Sequence, residues 1–263
     1  MSIDPDSLHV ALGAIFLVLN AGLSILLGLG IVRRMAIAAA RMVVQLALVG
    51  LVLDVVLTTR SPALIVLTVS VMTAVAAYEV IARQERPLAG IWGYGLGGAT
   101  MLFGAAVVTV FALGVQLRPD PWYDPRFAVP LFGMILGNAM TGIALVMNAF
   151  VADVTTRRRA IEAHLLAGAP RMLALRASLR RAATAGLVPI VNAMAATGVV
   201  SLPGMMTGQI LAGADPAQAV RYQIMVMFLI AGATGLGVSV AAWGMALRLS
   251  DSRHRLRVDR LRG

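Results

Sequence analysis

Apolar positions in this chain come in long, nearly unbroken runs separated by short polar segments. Seven such runs can be drawn, over residues 8–32, 35–57, 62–82, 88–115, 130–152, 184–202 and 222–247. Most are close to the ~20 residues an α-helix needs to cross ~30 Å of hydrocarbon. The pattern predicts an all-α fold: a polytopic transmembrane helical bundle of about seven spans, forming a single domain over 1–263. It places the protein in the inner or plasma membrane as a multi-pass chain surrounded by lipid.

The polar segments between the runs set an orientation. If the Arg33–Arg34 pair is cytoplasmic, seventeen arginines fall on the cytoplasmic side, including six in the tail from Arg248 to Arg262. Four (Arg60, Arg118, Arg126 and Arg221) fall outside, and Arg41 lies within the second run. The positive-inside bias then predicts an outer N-terminus and a cytoplasmic C-terminus. The N-terminal "MSIDPDS" is acidic and lacks a basic leader, so the first run reads as a retained helix. The net charge of +10 is accounted for by this topology, and no nucleic-acid partner is implied.

Composition narrows the chemistry. The chain is 59% hydrophobic and 13% charged, far from the ~45–50% and ~25% of soluble domains. It has no cysteine, hence no disulfide or thiolate ligand. All 22 basic residues other than histidine are arginines, so neither a P-loop lysine nor a Schiff base is available. No catalytic residue and no cofactor is assigned to this chain, and it does not read as an enzyme. Any ATP that drives it, with its Mg, belongs to another subunit.

Several polar groups lie inside the runs, where they are costly and mark candidate sites. Arg41 and Glu79 both lie within roughly 10 Å of the cytoplasmic interface at 1.5 Å per residue, a candidate structural ion pair. Asp54 lies near the outer end of the second run. In the fifth run Met134, Asn138, Thr141, Leu145 and Asn148 follow one another at helical spacing and share a face. Two readings fit that stripe: the lining of a passage, or hydrogen bonding between helices. The "GYGLGG" segment matches G-x-G-x-x-G at Gly93, Gly95 and Gly98, but no strand precedes it. It reads as helix packing, as does "GMILG" at Gly133 and Gly137.

Three connections stand out. "LRPDPWYDPRFAVP" reads as a rigid outer turn with a Trp122–Tyr123 anchor. Residues 153–181 form the largest polar connection. There Asp153 or Thr155 is a candidate cap, Ile161, Leu165 and Leu166 offer a short apolar face, and Gly168 with Pro170 ends the helix. A second short helix is expected before the sixth run. The first helix suits either lipid headgroups or a groove on a partner protein. The third connection, "SLPGMMTGQILAGADPAQAVRYQ" from Ser201, is too short and too glycine-broken to span. It reads as a re-entrant turn or short helix at the outer mouth of a passage, because irregular backbone at membrane depth survives only within protein or beside a water-filled cavity. Ser201, Met205, Met206 and Gln209 are its candidate path residues, together with Asn138, Thr141 and Asn148. The Met205–Met206 thioethers suit a soft metal, though methionine also serves as flexible core filler. No metal ligand is assigned.

In "EAHLLAG", Glu162, Ala163 and Gly168 match the E-A-A-x-x-x-G loop by which ABC-transporter permeases engage their ATPases, with His164 in place of the second alanine. Together with "GNAMTGIALVMN" and the segment from Ser201, the chain resembles the FetB-type permeases of the iron-export ABC system, which include plant aluminium-tolerance relatives. The resemblance is densest over residues 130–230 and weaker at "RMVVQLALVGLVL". It implies a permease that exports iron or another metal ion. It further implies a separate FetA-like ATPase, a permease homodimer, and a coupling role for Glu162, Ala163 and Gly168. The residues alone leave open an importer of the same ABC type, or an autonomous ion-coupled carrier.

Overall fold

The computed structural model describes residues 7–251 and 253–262, with side chains from residue 12 onward; the acidic stretch before Ser7 lies outside the described residues. Nine α-helices run in order among them. They are α1 (Ser7–Leu26), α2 (Val32–Thr59), α3 (Pro62–Ala82), α4 (Trp92–Phe111), α5 (Pro125–Thr156), α6 (Arg158–Leu166), α7 (Arg171–Ala196), α8 (Gly204–Leu211) and α9 (Pro216–Arg248). A π-helical turn, Ala112–Leu117, continues α4, and a 3-10 turn, Val258–Arg260, lies in the tail. Extended structure among the described residues is confined to three isolated bridges.

By length and apolar composition five helices can cross a membrane: α2, α3, α4 with its π turn, α5 and α9. The protein is a multi-pass helical membrane protein. The described apolar part of α1, Leu12–Leu26, is shorter. The sixth run falls on α7, whose first half carries Arg171, Arg176, Arg180 and Arg181.

The chain divides into two compact units, Met1–Thr59 and Arg60–Gly263. In the first, α1 and α2 pack against each other through a turn at Gly28 and Gly30, whose φ values of 63° and 68° belong to the left-handed region that glycine enters without a Cβ penalty. In the second, α5 is the central helix. It packs against α3, α4, α7 and α9, and Ile135, Ile143, Val146, Met147 and Phe150 are fully enclosed there.

Close helix contacts come from glycine. A Cβ on Gly142 of α5 would lie 2.9 Å from the Gly186 carbonyl oxygen of α7, and one on Gly104 of α4 would lie 2.9 Å from the Ala233 carbonyl oxygen of α9. Of the expected packing glycines, Gly98 meets Ala77 and Gly133 meets Met72, whereas Gly95 and Gly137 face open space. A GxxxG spacing puts two glycines on one face but does not say whether that face meets a neighbour.

Several boundaries differ from the hydropathy reading, each for a local reason. α5 begins at Pro125 rather than after Pro130. Proline is tolerated at a helix's first position, and the Asp124 carboxylate caps the end by accepting from Arg126 N at 3.0 Å. Asp124 is only 1% exposed and also accepts from Nε and Nη2 of Arg126; that bonding holds its carboxyl at about 2, well below the usual range. The expected second short helix is not separate, because nothing in "RASLRRAATAG" breaks the helix, and α7 continues to Ala196. It stops there, short of residue 202, at a turn where Gly198 has φ 94°.

Candidate functional site

α6 is held from one side. Ile161 is buried and Leu165 packs on the core, one turn apart, while Leu166 points away and is 90% exposed. The three-residue apolar face expected from sequence is therefore a two-residue anchor plus an outward leucine, because Leu166 lies ~100° around the helix from Leu165. Ala163 and His164 are exposed beside it. Glu162 accepts from Arg158 Nε at 2.8 Å along its own helix, a pair of a kind worth ~0.3–0.5 kcal/mol and readily exchanged for another cation. Gly168 closes the helix with φ 87°. Its N–H donates to Leu165 O and that of Ala169 to His164 O, both at 3.1 Å, which forms a Schellman turn.

The expected caps Asp153 and Thr155 have other roles. Both lie in the last turns of α5, and Arg157 occupies the cap position. Thr155 donates to Val151 O. Asp153 receives two 2.8 Å hydrogen bonds from Arg181, which ties the end of α5 to α7.

The tail is a second feature at this end. Leu256 and Leu261 pack on the core, Ala89 N donates to Arg260 O at 2.8 Å, and Arg262 N donates to Pro87 O at 2.9 Å. Arg248 stacks over the Trp92 ring at 4.6 Å, and the Arg171 amide donates to His254 Nδ1 at 3.1 Å. Asp251 accepts from the backbone and side chain of Arg255, and the backbone bond is the main reason its carboxyl lies below the usual range. Sequence reading treated this tail only as an orientation signal. Its interleaved aspartates and its two leucines were the available sign of folding.

The α5 stripe divides. Asn148 donates to Arg83 O at 2.9 Å and accepts from Glu85 N at 3.2 Å, so it fastens the α3–α4 turn. Asn138 donates only to Met134 O, and Thr141 only to Gly137 O, both within their own helix. Asn138 and Leu145 are exposed and Thr141 is half-buried on the outward face of α5, while Met134 packs on the core.

At the other end of this unit, α8 packs on α9. Met206 is buried and borders a cavity of about 470 Å³, shared with Met194, Met227, Phe228 and Gln223. Gln223 is 7% exposed, and its Oε1 has no hydrogen-bond partner among the described residues. Met205 and Gln209 are half-buried and Ser201 is exposed; these three do not border the cavity. Met194, Gln223 and Met227 were missed because each sits inside a long helix, where sequence alone does not show which way it points. Among the described residues no group of three or more His, Asp or Glu is placed to hold a metal ion.

Arg41 lies in α2 of the first unit and Glu79 in α3 of the second. Glu79 is one turn before Arg83, whose Nε is 3.9 Å away.

The family model described as "Uncharacterised protein family (UPF0014)" matches residues 7–249. Among similar proteins, the UPF0014 membrane protein slr1647 of Synechocystis is 38% identical over 77% of this chain and 78% of its own length. The Arabidopsis thaliana protein ALUMINUM SENSITIVE 3 is 32% identical over 76% and 71%. The Escherichia coli "Probable iron export permease protein FetB" is 30% identical over 86% and 85%. No solved structure matches significantly.

Proposed function

The chain belongs to the UPF0014 family, and from that premise we propose that it is the membrane-spanning permease subunit of an ABC transporter, driven by a FetA-like ATPase on a separate chain. The observation that carries this reading is α6. The helix is anchored by Ile161 and Leu165, stopped by Gly168, and presents Ala163, His164 and Leu166 outward. An exposed leucine beside small residues on a short, fixed helix suits insertion into a groove on a partner. Glu162 supplies a carboxylate at its edge.

The hydrogen bonds of the second unit support the orientation. Asn148 with the α3–α4 turn, Asp153 with Arg181, and the tail with both Ala89 and Arg171 gather the arginine-rich segments at one end. That end is the cytoplasmic one by the positive-inside bias, and α6 lies on it. With α1 and α7 also crossing, the N-terminus lies outside and the C-terminus inside. The outward Asn138 and Thr141, partway along α5, would meet lipid in a lone subunit, which favours a second permease across that face and a passage there. Met205, Met206, Gln209 and Ser201 stand at its outer mouth.

The cargo is proposed to be iron or another metal ion, moved outward, following the name of the E. coli relative. The test is cellular iron content with the permease and its ATPase co-expressed, against an ATPase unable to hydrolyse ATP. A fall in iron only with the active pair supports export; a rise reverses the direction, and no change removes iron as cargo. Glu162→Arg should insert normally but lose ATPase co-purification, and retained co-purification would remove the coupling assignment.

A further inference from the structure

A cavity of about 1080 Å³ in the second unit is a groove between the first half of α7 and the last turns of α9, with His164 among its lining residues. Among the three arginines that line it, Arg176 and Arg180 lie one turn apart. Both are exposed, and neither side chain forms a hydrogen bond or ion pair among the described residues. Their neighbour Arg181 is already committed to Asp153. Among the described residues no acidic side chain lines the groove beside these two charges.

The walls have the opposite character. Leu173, Leu179, Ala183 and Ala242 give an apolar floor, and Trp243, more than half exposed, closes one side. Arg176 and Arg180 sit among these apolar residues on α7, and Ala183 with Ser239 extends the groove further along the helices. A matching occupant therefore combines an anionic group with an apolar body. A guanidinium pair favours phosphate. Tryptophan is at home at the headgroup level, and basic pockets beside spanning helices take anionic headgroups.

We propose that this groove seats an anionic phospholipid, with its phosphate between Arg176 and Arg180 and an acyl chain along Leu179, Ala183 and Trp243. A soluble phosphate compound would leave the apolar walls wet. The site requires the chain to be in a bilayer but not to have its ATPase, so loss of the coupling assignment leaves it standing.

The experiment is native mass spectrometry of the full chain in mild detergent, titrated with phosphatidylglycerol or phosphatidylcholine. Wild type should retain phosphatidylglycerol with a preference of about tenfold, since each interfacial arginine adds attraction for an anionic headgroup. The Arg176→Gln/Arg180→Gln protein should lose the preference, and Arg176→Lys/Arg180→Lys should keep most of it. Ala177→Trp fills the groove with both charges intact and should also lose it. All four proteins must elute identically on gel filtration; Arg118→Gln should match wild type in lipid preference. A double glutamine variant that keeps the wild-type preference overturns the proposal, as does an Ala177→Trp variant that keeps it. Glycerol phosphate displacing the lipid at equal concentration would also overturn it, by showing a water-soluble ligand.

Discussion

Gly186 of α7 and Gly142 of α5 meet backbone to backbone: a Cβ on Gly186 would lie 2.8 Å from the Gly142 carbonyl oxygen. Since that neighbour is backbone, it cannot swing aside. Gly186→Ala should therefore destabilise the bundle by about 1–3 kcal/mol, more than alanine's helix propensity restores. Gly137→Ala, on the same central helix but facing open space, should gain up to about 1 kcal/mol instead. Thermal melting of the two variants in detergent should move in opposite directions.

Ile161 and Leu165 hold α6 while Leu166 does not. Leu166→Asp should leave the stability within about 0.5 kcal/mol of wild type, as exposed substitutions do, yet abolish ATPase co-purification. Ile161→Asp buries a charge and should destabilise the packing of α6 outright. If Leu166→Asp retains the ATPase, α6 is not the docking element.

Asn148→Ala removes two solvent-accessible hydrogen bonds to the α3–α4 turn, which water can partly replace, a cost of about 0.5–1.5 kcal/mol. Asn138→Ala removes only a bond within its own helix and should barely move the melting curve. Transport should respond to Asn138→Ala if the outward face of α5 lines the passage. An unchanged export rate at normal expression would remove Asn138 from the path.

Asp124 should make the N-terminal end of α5 acid-sensitive. Its carboxyl is held at about 2 by Arg126, below the ordinary ~3.9 of an aspartate. A depressed carboxyl contributes stability that is fully present above the unfolded value and is lost as pH falls toward the folded one. Loss of the cap in Asp124→Ala should cost about 1 kcal/mol at neutral pH. The gap between wild type and variant should hold down to about pH 4 and close as pH approaches about 2. A gap that does not narrow there would mean that the ionised cap contributes nothing.

The helical membrane class, most of the long helices, the stop at Gly168–Pro170 and the gathering of arginines between runs were legible in the order of residues. Each follows from local physics: hydrocarbon thickness, helix rise, and the turn that only glycine enters easily. The same information located α8 as a short element between two long ones.

What order alone could not supply is direction around each helix. Asn138 and Asn148 share a stripe by period, yet one faces outward and the other fastens a turn 63 residues away in sequence. Gly137 belongs to a GxxxG and touches nothing, while Gly142 carries the contact. Arg181 is paired with Asp153 of another helix, whereas Arg176 and Arg180 in the same groove have no ion pair among the described residues. In a chain so uniformly apolar, hydropathy cannot distinguish a face turned to lipid from one turned to a neighbouring helix. That distinction depends on which helices meet and at what rotation, and only the tertiary packing decides it.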